Sequence, residues 1–461
     1  MAQPLDLIVR NGVVVTAADT RRLDVGVRDG VVVALGTNLP EAPVLDASGC
    51  YVFPGFVDPH VHLQLRVGDI VSTDDFETGT VAAACGGVTT LADFTGNARG
   101  DDLAEGVRAR WAEAEGRIAV DLALHLTLTD ASETTLAALP ALAAAGHTSA
   151  KLYMTYAGLR LDDGEMLRAL AACHAQRILP LVHAENHDAV AYLTARLLAA
   201  GHSEPRYHPA SRPPLVESEA AQRALALAAM VDAPVYLAHV TCRETLAAIA
   251  QARARGQQVV AETCPQYLAL SSACFDAPGF EAAKYVCTPP LRPAGHGDAL
   301  WTALAEDELQ IVSTDHCPWN HEVEKQRGRD AFSQIPNGLP GVETRIPLLY
   351  GLGVAQARLS LQRFVAVAAS EPARALGLFP RKGTIAVGSD ADLAILDPRG
   401  TTTMQAAGLH QRVDYTPFEG WTVPGRLVAT VSRGEVIVRE GQFLGRRGRG
   451  RLLCRQPSPW A

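Results

Sequence analysis

From residue 56 to about residue 376, short apolar stretches alternate with longer stretches rich in alanine, leucine and arginine. The short stretches have the length of buried strands, and the longer ones have helical periodicity. Eight strand candidates lie at residues 56–63, 89–94, 122–128, 150–155, 179–184, 235–240, 258–262 and 310–314, and helical segments at 101–115, 165–176, 217–230 and 243–255 lie between them. Eight strand–helix units in succession predict a (β/α)8 barrel, the TIM-like α/β fold. A doubly wound open sheet is the alternative, but no GxGxxG phosphate loop follows the first strand.

The two ends of the chain have a different pattern, in which short β-branched runs are separated by tight turns. Asn-Gly at 11–12 and Asp-Gly at 29–30 lie between apolar runs, and such pairs are strong hairpin signals. Near the C-terminus, residues 383–385, 391–396 and 428–443 have the composition of strands. We therefore expect one small β-sandwich domain built from residues 1–53 and 380–461, beside a catalytic barrel of residues 54–379.

Charge and cysteine usage narrow the class of protein. The chain of 461 residues has a net charge of −9 and no basic stripe, which argues against a nucleic-acid partner. No stretch has the length and apolarity of a membrane span, and residues 1–10 lack the pattern of a signal peptide. The nine cysteines are scattered without a CxxC pair. The scattered cysteines favour a reducing cytoplasm. The charge and the lack of a membrane span predict neither nucleic acid nor a membrane as a partner.

Two histidines, His60 and His62, lie at the end of the first predicted strand. Residues two apart in a strand point to the same face, so the two imidazoles converge. Neutral imidazoles on one face commonly bind a metal ion. The alternative for the pair alone is a half-exposed strand with two solvated side chains, so further ligands must come from elsewhere in the chain.

Polar side chains also occur on four other predicted strands of the barrel. They are Lys151 on the fourth strand, His183 on the fifth, His239 on the sixth and Asp315 on the eighth. Barrel enzymes place their chemistry at the carboxyl ends of the strands, so all these groups should meet at one mouth. Singly, each histidine could be a hydrogen-bonded core residue and the aspartate a helix cap. The occurrence of residues that can bind a metal at the ends of five separate strands predicts a metal site.

Lys151 is unusual because this chain contains 37 arginines and only four lysines. A charged amine in an apolar strand is costly, but lysine, unlike arginine, can lose its proton and become a nucleophile. Such an amine can add carbon dioxide to give a carbamate, which has two oxygens and can bridge two metal ions. The alternative is an ion pair with a carboxylate such as Asp315. We favour the carbamate, because four histidines need one bridging anion to hold two ions.

The sequence resembles the cyclic amidohydrolases of the amidohydrolase superfamily, and within them the dihydropyrimidinase/D-hydantoinase family. The resemblance covers nearly the whole chain. It is carried by DPHVHLQ at 58–64, DFETGT at 75–80, HAEN at 183–186, ETCPQYL at 262–268, DHCP at 315–318 and DYTPFEG at 414–420. It implies hydrolysis of a small cyclic amide, a dihydropyrimidine or 5-substituted hydantoin, to an N-carbamoyl amino acid.

The resemblance also implies a binuclear metal centre. One ion would be held by His60, His62 and Asp315 and the second by His183 and His239. The carbamate of Lys151 and a hydroxide would bridge the two divalent ions, most simply zinc given the histidine ligands.

Further roles follow from the same resemblance. Asp315 would also shuttle the proton, and Tyr156 would donate a hydrogen bond to the oxyanion. Thr288 and Asn337 would grip the amide edge of the substrate through backbone groups, with Thr288 replacing the more usual serine. The family is commonly tetrameric, so a homo-oligomer is expected.

Loops after the strands should set specificity. We expect residues 63–72 and 153–161 to form the pocket walls and residues 317–340 to form a lid.

Three other functions fit the same sequence less well. Dihydroorotase usually has an arginine two residues past the second histidine, where this chain has Gln64 and places Arg66 two residues later. Allantoinase has a similar site, but Gln64 and the stretch at 414–420 favour the hydantoinase side. Collapsin response mediator proteins share the fold as assembly proteins and lack the metal ligands, all six of which are present here.

Overall fold

The computed structural model describes residues 4–461, and its centre is a barrel of eight parallel strands. The strands are Phe56–Asp58, Val88–Phe94, Asp121–Leu128, Ser149–Tyr153, Leu179–His183, Val235–Leu237, Val259–Thr263 and Ile311–Val312. They are hydrogen-bonded in chain order from the first to the eighth. Each coincides with one of the eight strand candidates, so the predicted barrel is confirmed.

The barrel closes between its first and eighth strands, just beyond the regular part of each strand. The amide of His62 donates to the carbonyl of His316 at 2.8 Å, and the amide of Asp315 donates to the carbonyl of His60 at 3.0 Å. Val61 and His316 form a parallel bridge between these bonds. This closing seam, residues 60–62 with residues 315–316, contains three of the predicted metal ligands.

Helices cover the outside of the barrel. The α-helices are Phe76–Cys85, Leu103–Ala114, Glu133–Ala137, Leu139–Ala144, Asp163–Ala175, His187–Ala199, His208–Ser211, Pro214–Ala229, Arg243–Ala254, Pro265–Ala269, Ala294–Ala305, Arg345–Leu348, Leu361–Val365 and Glu371–Ala375. Leu349–Val354 and Ala366–Ser370 are π-helical. Short 3-10 helices are Pro205–Tyr207, Ser272–Asp276, Gly279–Tyr285, Lys325–Gly328, Phe332–Gln334 and Ala406–Gly408. Within residues 4–461, none of these helices combines the length and apolarity needed to cross a membrane.

Both chain ends contribute to a second, smaller β-structure. One sheet has the order Val31–Gly36, Asp24–Arg28, Leu7–Arg10 and Val44–Asp46. The other has the order Gln442–Phe443, Glu435–Arg439, Thr422–Ser432, Leu393–Thr403, Tyr51–Pro54, Val13–Val15 and Thr20–Arg22. The ends meet where Val52 pairs antiparallel with Ile395, and side chains of both sheets share one apolar core. The expected sandwich from both chain ends is confirmed. Its boundaries at 53 and 380 stay a prediction, and residues 1–3 lie outside the described range.

Two local expectations at the chain ends were wrong. Asp29-Gly30 does join a hairpin, but Asn11-Gly12 carries the chain from one sheet to the other. Residues 7–10 and 13–15 pair in the same direction with 24–28 and 20–22, so the strand continues through Asn11-Gly12 with a one-residue shift. The chain reverses at residues 16–19 instead, where the amide of Thr16 donates to the carbonyl of Asp19 at 2.9 Å. Residues 383–385 form no strand, and the carbonyl of Gly383 accepts from the Ser370 hydroxyl at 2.6 Å.

A buried ionic cluster joins the barrel to the sandwich. The Lys382 ammonium, 1% exposed, lies 2.7 Å from Asp121 at the start of the third barrel strand. It also lies 2.7 Å from Asp392 and 2.9 Å from Asp390, which precede a sandwich strand. Arg433 also contacts Asp121, but removing the Lys382 ammonium would leave its three carboxylates close together with one cation fewer and little water. That is the costly way to break a buried ion pair.

We therefore predict that Lys382→Met lowers the free energy of unfolding by roughly 3–5 kcal/mol, measured by urea titration. Lys284→Met is the matched control, because within residues 4–461 Lys284 has one salt-bridge partner, Glu281, in the half-exposed helix Gly279–Tyr285. Such a surface pair contributes about 1 kcal/mol or less. Equal losses in the two variants would contradict the role given to the cluster.

Candidate metal centre and active site

A cavity of about 790 Å³ opens at the carboxyl ends of the barrel strands. All nine site residues predicted from the sequence line it, namely His60, His62, Lys151, Tyr156, His183, His239, Thr288, Asp315 and Asn337. The loops expected to form its walls also line it, through Leu65 and Leu159 among others. The fold thus brings together residues that are up to 277 positions apart in the sequence (60 to 337).

Three of these residues form a compact group of ligand atoms. Nε2 of His60 and Nε2 of His62 each lie 3.2 Å from Oδ1 of Asp315. Ligand atoms around a tetrahedral zinc ion, at metal distances of about 2.0–2.1 Å, lie about 3.3 Å apart. Burial holds the pKa of His60 well below its ordinary value, so its imidazole is neutral, as a metal ligand requires. The donor set fits a divalent ion in both type and spacing.

His183 and His239 form a second group beside the first. Nδ1 of His183 lies 2.9 Å from Nε2 of His239, and the ring of His239 is centred 5.6 Å from the ring of His60. Burial also lowers the pKa of His183 and of His239, so both imidazoles are neutral. Two ring nitrogens facing each other in a dry site suit a shared cation.

Lys151 lies beside the first group and is only 1% exposed. Its Nζ is 3.3 Å from Nε2 of His60, and in residues 4–461 it has no carboxylate within salt-bridge distance. Asp315 instead faces the two histidines, so the alternative ion pair with Lys151 is absent from this range. Burial lowers the pKa of Lys151 to about 8, which leaves a useful fraction of free amine near neutrality.

Two buried glutamates orient these histidines, and neither was assigned a role from the sequence. Oε1 of Glu262 contacts Nδ1 of His60, and Oε2 of Glu262 accepts from the Tyr236 hydroxyl at 2.6 Å. The Tyr236 hydroxyl holds the Glu262 carboxylate in place. The contact of Glu262 with Nδ1 then fixes the ring orientation in which His60 Nε2 faces Asp315. Such outer carboxylates fix the tautomer and raise the basicity of a metal ligand.

Glu185 acts in the same way on His183. Its Oε2 lies 2.8 Å from Nε2 of His183 and 2.8 Å from Arg212. Burial raises the pKa of Glu185, but Arg212 and His183 outweigh burial and hold that pKa below its ordinary value. The carboxylate is therefore ionised, and it leaves Nδ1 of His183 free to face His239. A charged residue within or beside an apolar barrel strand was the available signal for both glutamates.

The backbone of the site is strained at several predicted residues. Tyr156, His239 and Asp315 have φ angles of 69°, 36° and 51°, a region that non-glycine residues rarely adopt. Strain of this kind persists only where the surrounding structure enforces it, and it clusters at functional sites. Here it occurs just after the strands, where the chain turns into the cavity-lining loops.

The cavity is also lined by Tyr156, Thr288 and Asn337, the residues predicted to contact the substrate. The Tyr156 ring is centred 5.3 Å from the His183 ring, and burial raises the pKa of its hydroxyl, which keeps it a hydrogen-bond donor. Oδ1 of Asn337 is buried without a hydrogen-bond partner in the described residues. The backbone carbonyl of Asn337 accepts from Trp319 at 2.9 Å. His125, which does not line the cavity, is hydrogen-bonded to the carbonyl of Pro59 at 2.8 Å and to the Ser149 hydroxyl at 2.6 Å.

The model of the amidohydrolase family matches residues 51–437 of the chain. The chain belongs to this family. This amidohydrolase is 42% identical to a D-hydantoinase from Geobacillus stearothermophilus over 97% of its length and 96% of the relative's. It is 44% identical to a D-hydantoinase from Ralstonia pickettii, over 98% and 99% of the two chains. The crystal structure of a dihydropyrimidinase from Brevibacillus agri NCHU1002 superposes with a TM-score of 0.96, at 42% identity and 98% coverage of each chain.

We predict that Glu262→Gln in this amidohydrolase weakens metal affinity by about 10- to 100-fold, because the amide orients His60 less firmly and makes it less basic. Competition with a chelator, followed by metal analysis, measures the change. Glu306→Gln, at an exposed helix end, is the matched control. Retention of metal by Glu262→Gln equal to that of the control would exclude the orienting role.

Proposed function

We propose that this amidohydrolase hydrolyses the ring of a cyclic amide, a dihydropyrimidine or a 5-substituted hydantoin, to an N-carbamoyl amino acid. The observation that supports this most is the joining of two ligand groups, His60 with His62 and Asp315, and His183 with His239, in one cavity. The similar proteins are hydantoinases and a dihydropyrimidinase over nearly the whole chain, which favours this function over the alternatives.

The proposal assigns a divalent metal to each ligand group. His60, His62 and Asp315 would hold one ion, His183 and His239 the other, and a carbamate on Lys151 would contact both. Histidine-rich ligands favour zinc. Bound ions would polarise the scissile carbonyl and lower the pKa of water from about 15.7 to about 7.

The side chains of the site would carry out the proton transfer, the stabilisation of the oxyanion and the binding of the substrate. Asp315 would accept the proton of the attacking water and return it to the ring nitrogen as the carbon–nitrogen bond breaks. Tyr156 would donate a hydrogen bond to the oxygen that becomes negative, an interaction typically worth roughly 3 kcal/mol. Thr288 and Asn337 would hold the amide edge, so that the carbonyl faces the ligand groups.

Location and assembly belong to the same proposal. We place the protein in the cytoplasm, in keeping with nine cysteines that form no disulfide in residues 4–461. We also propose a homo-oligomer, a tetramer by resemblance. Its substrate is a small molecule that fits the 790 Å³ cavity.

A hydrolysis panel tests the proposal: dihydrouracil, 5-substituted hydantoins of both hands, allantoin and dihydroorotate. We expect turnover of hydantoins or dihydrouracil, and little of the other two. Gln64 accepts from Arg117 at 3.1 Å and offers no cation for a substrate carboxylate, although Arg66 lines the outer cavity. Preferred turnover of dihydroorotate or allantoin would overturn the assigned substrate, and no turnover at all would overturn the function.

We further predict that Lys151→Ala loses most of its metal and activity, because no anion then joins the two ligand groups. A short carboxylic acid, which supplies two oxygens in place of the carbamate, should partly restore both. Metal analysis and hydantoin hydrolysis measure the two effects, with the surface variant Lys284→Ala as control. Full activity in Lys151→Ala would contradict the carbamate.

A further inference from the structure

Three of the four lysines in this arginine-rich chain are almost fully buried: Lys151, Lys325 and Lys382. The metal centre accounts for the first and the ionic cluster for the third. Lys325 is 0% exposed and begins the 3-10 helix Lys325–Gly328, inside the 317–340 segment expected to form a lid. Neither the ligand groups nor the interdomain cluster explains it.

The Lys325 ammonium donates to three backbone carbonyls. Its Nζ lies 3.1 Å from the carbonyl of Val286, 3.2 Å from that of Pro336 and 3.2 Å from that of Gly338. An ammonium has three donors, so these bonds satisfy it completely. In residues 4–461 no carboxylate lies within salt-bridge distance of Nζ, and burial lowers the pKa of Lys325 to about 7. A buried cation without a counter-ion is expensive and calls for a compensating role.

Those three carbonyls flank the two segments that would hold the substrate. Val286 lies two residues before Thr288, while Pro336 and Gly338 lie on either side of Asn337. The segments also bond to each other, since the amide of Gly338 donates to the carbonyl of Val286 at 3.1 Å. A planar guanidinium holds its donors in a rigid fork, whereas an ammonium can direct three donors to three converging carbonyls. This difference accounts for lysine rather than arginine at position 325.

We propose that Lys325 is a positioning residue, which joins the Thr288 and Asn337 segments and so fixes the edge of the cavity that binds the amide. It touches no reacting atom, and it acts through the backbone on both sides of the substrate. Its loss should therefore weaken substrate binding more than it slows the bond-breaking step. The effect on substrate binding rests on the proposed function. The contacts of Lys325 with the backbone do not depend on it.

Lys325→Met keeps an unbranched side chain, one atom shorter, and removes all its donors. In metal-replete enzyme we expect KM for the best hydantoin of the panel to rise by about tenfold or more, with kcat changed less. Lys325→Gln, which can still donate two hydrogen bonds, should give an intermediate KM and covers the case in which Lys325→Met fails to fold. Lys284→Met, the same substitution at a half-exposed site, should match the wild type.

Hydrogen exchange by mass spectrometry gives a readout that needs no activity. Peptides covering residues 286–291 and 334–340 should exchange faster in the Lys325 variants, with the rest of the barrel unchanged. An unchanged KM in folded, metal-replete variants, or unchanged exchange in these two peptides, would overturn the positioning role. If the wild type hydrolyses no cyclic amide, the proposed function is wrong. The exchange experiment still tests whether Lys325 stabilises the two segments.

Discussion

The closure of the barrel between its first and eighth strands is the constraint on which the site depends. The backbone bonds of this seam place His60, His62 and Asp315 against each other. Buried side chains also stabilise the seam. Thr314 donates to Asp58 at 2.7 Å, and Arg345 donates to the carbonyls of Val57 in the first strand and Val312 in the eighth. The same bonds that complete the fold therefore assemble the first ligand group. A change that opened the seam would remove metal binding and stability together.

Burial decides the chemical state of the groups around this seam. It keeps the imidazoles neutral and gives Lys151 a pKa of about 8, since charged forms lose hydration in the dry barrel mouth. Where a charge remains, the protein surrounds it with opposite charge, as with Lys382 among three aspartates. Lys325 instead donates to three backbone carbonyls. The rare lysines thus occupy positions where an ammonium or a free amine is needed and a guanidinium would not serve.

Much of this structure was predictable from local sequence patterns. The eight strands follow from their apolar runs, and His60 and His62 share a face because they are two residues apart. Non-local pairing was harder to predict. Asn11-Gly12 was predicted to join a hairpin, but the strand continues through it into the other sheet, because a turn signal does not specify which strands pair.

The glutamates that orient the histidines were missed for the same reason, which is that the sequence does not show which distant segments meet. Glu262 contacts His60 across the barrel from a position 202 residues away, and no spacing rule links the two. The positions of Thr288 and Asn337 came only from the resemblance. Lys325 had a local signal in its rarity, but its three carbonyl partners depend on how two distant segments fold together.

We propose that five strand ends form one site for two metal ions. Metal analysis of the purified wild-type protein by mass spectrometry, without added metal, tests it most directly. The account predicts about two divalent ions per folded chain, mostly zinc. A folded, unchelated protein that contains one ion or none would contradict it.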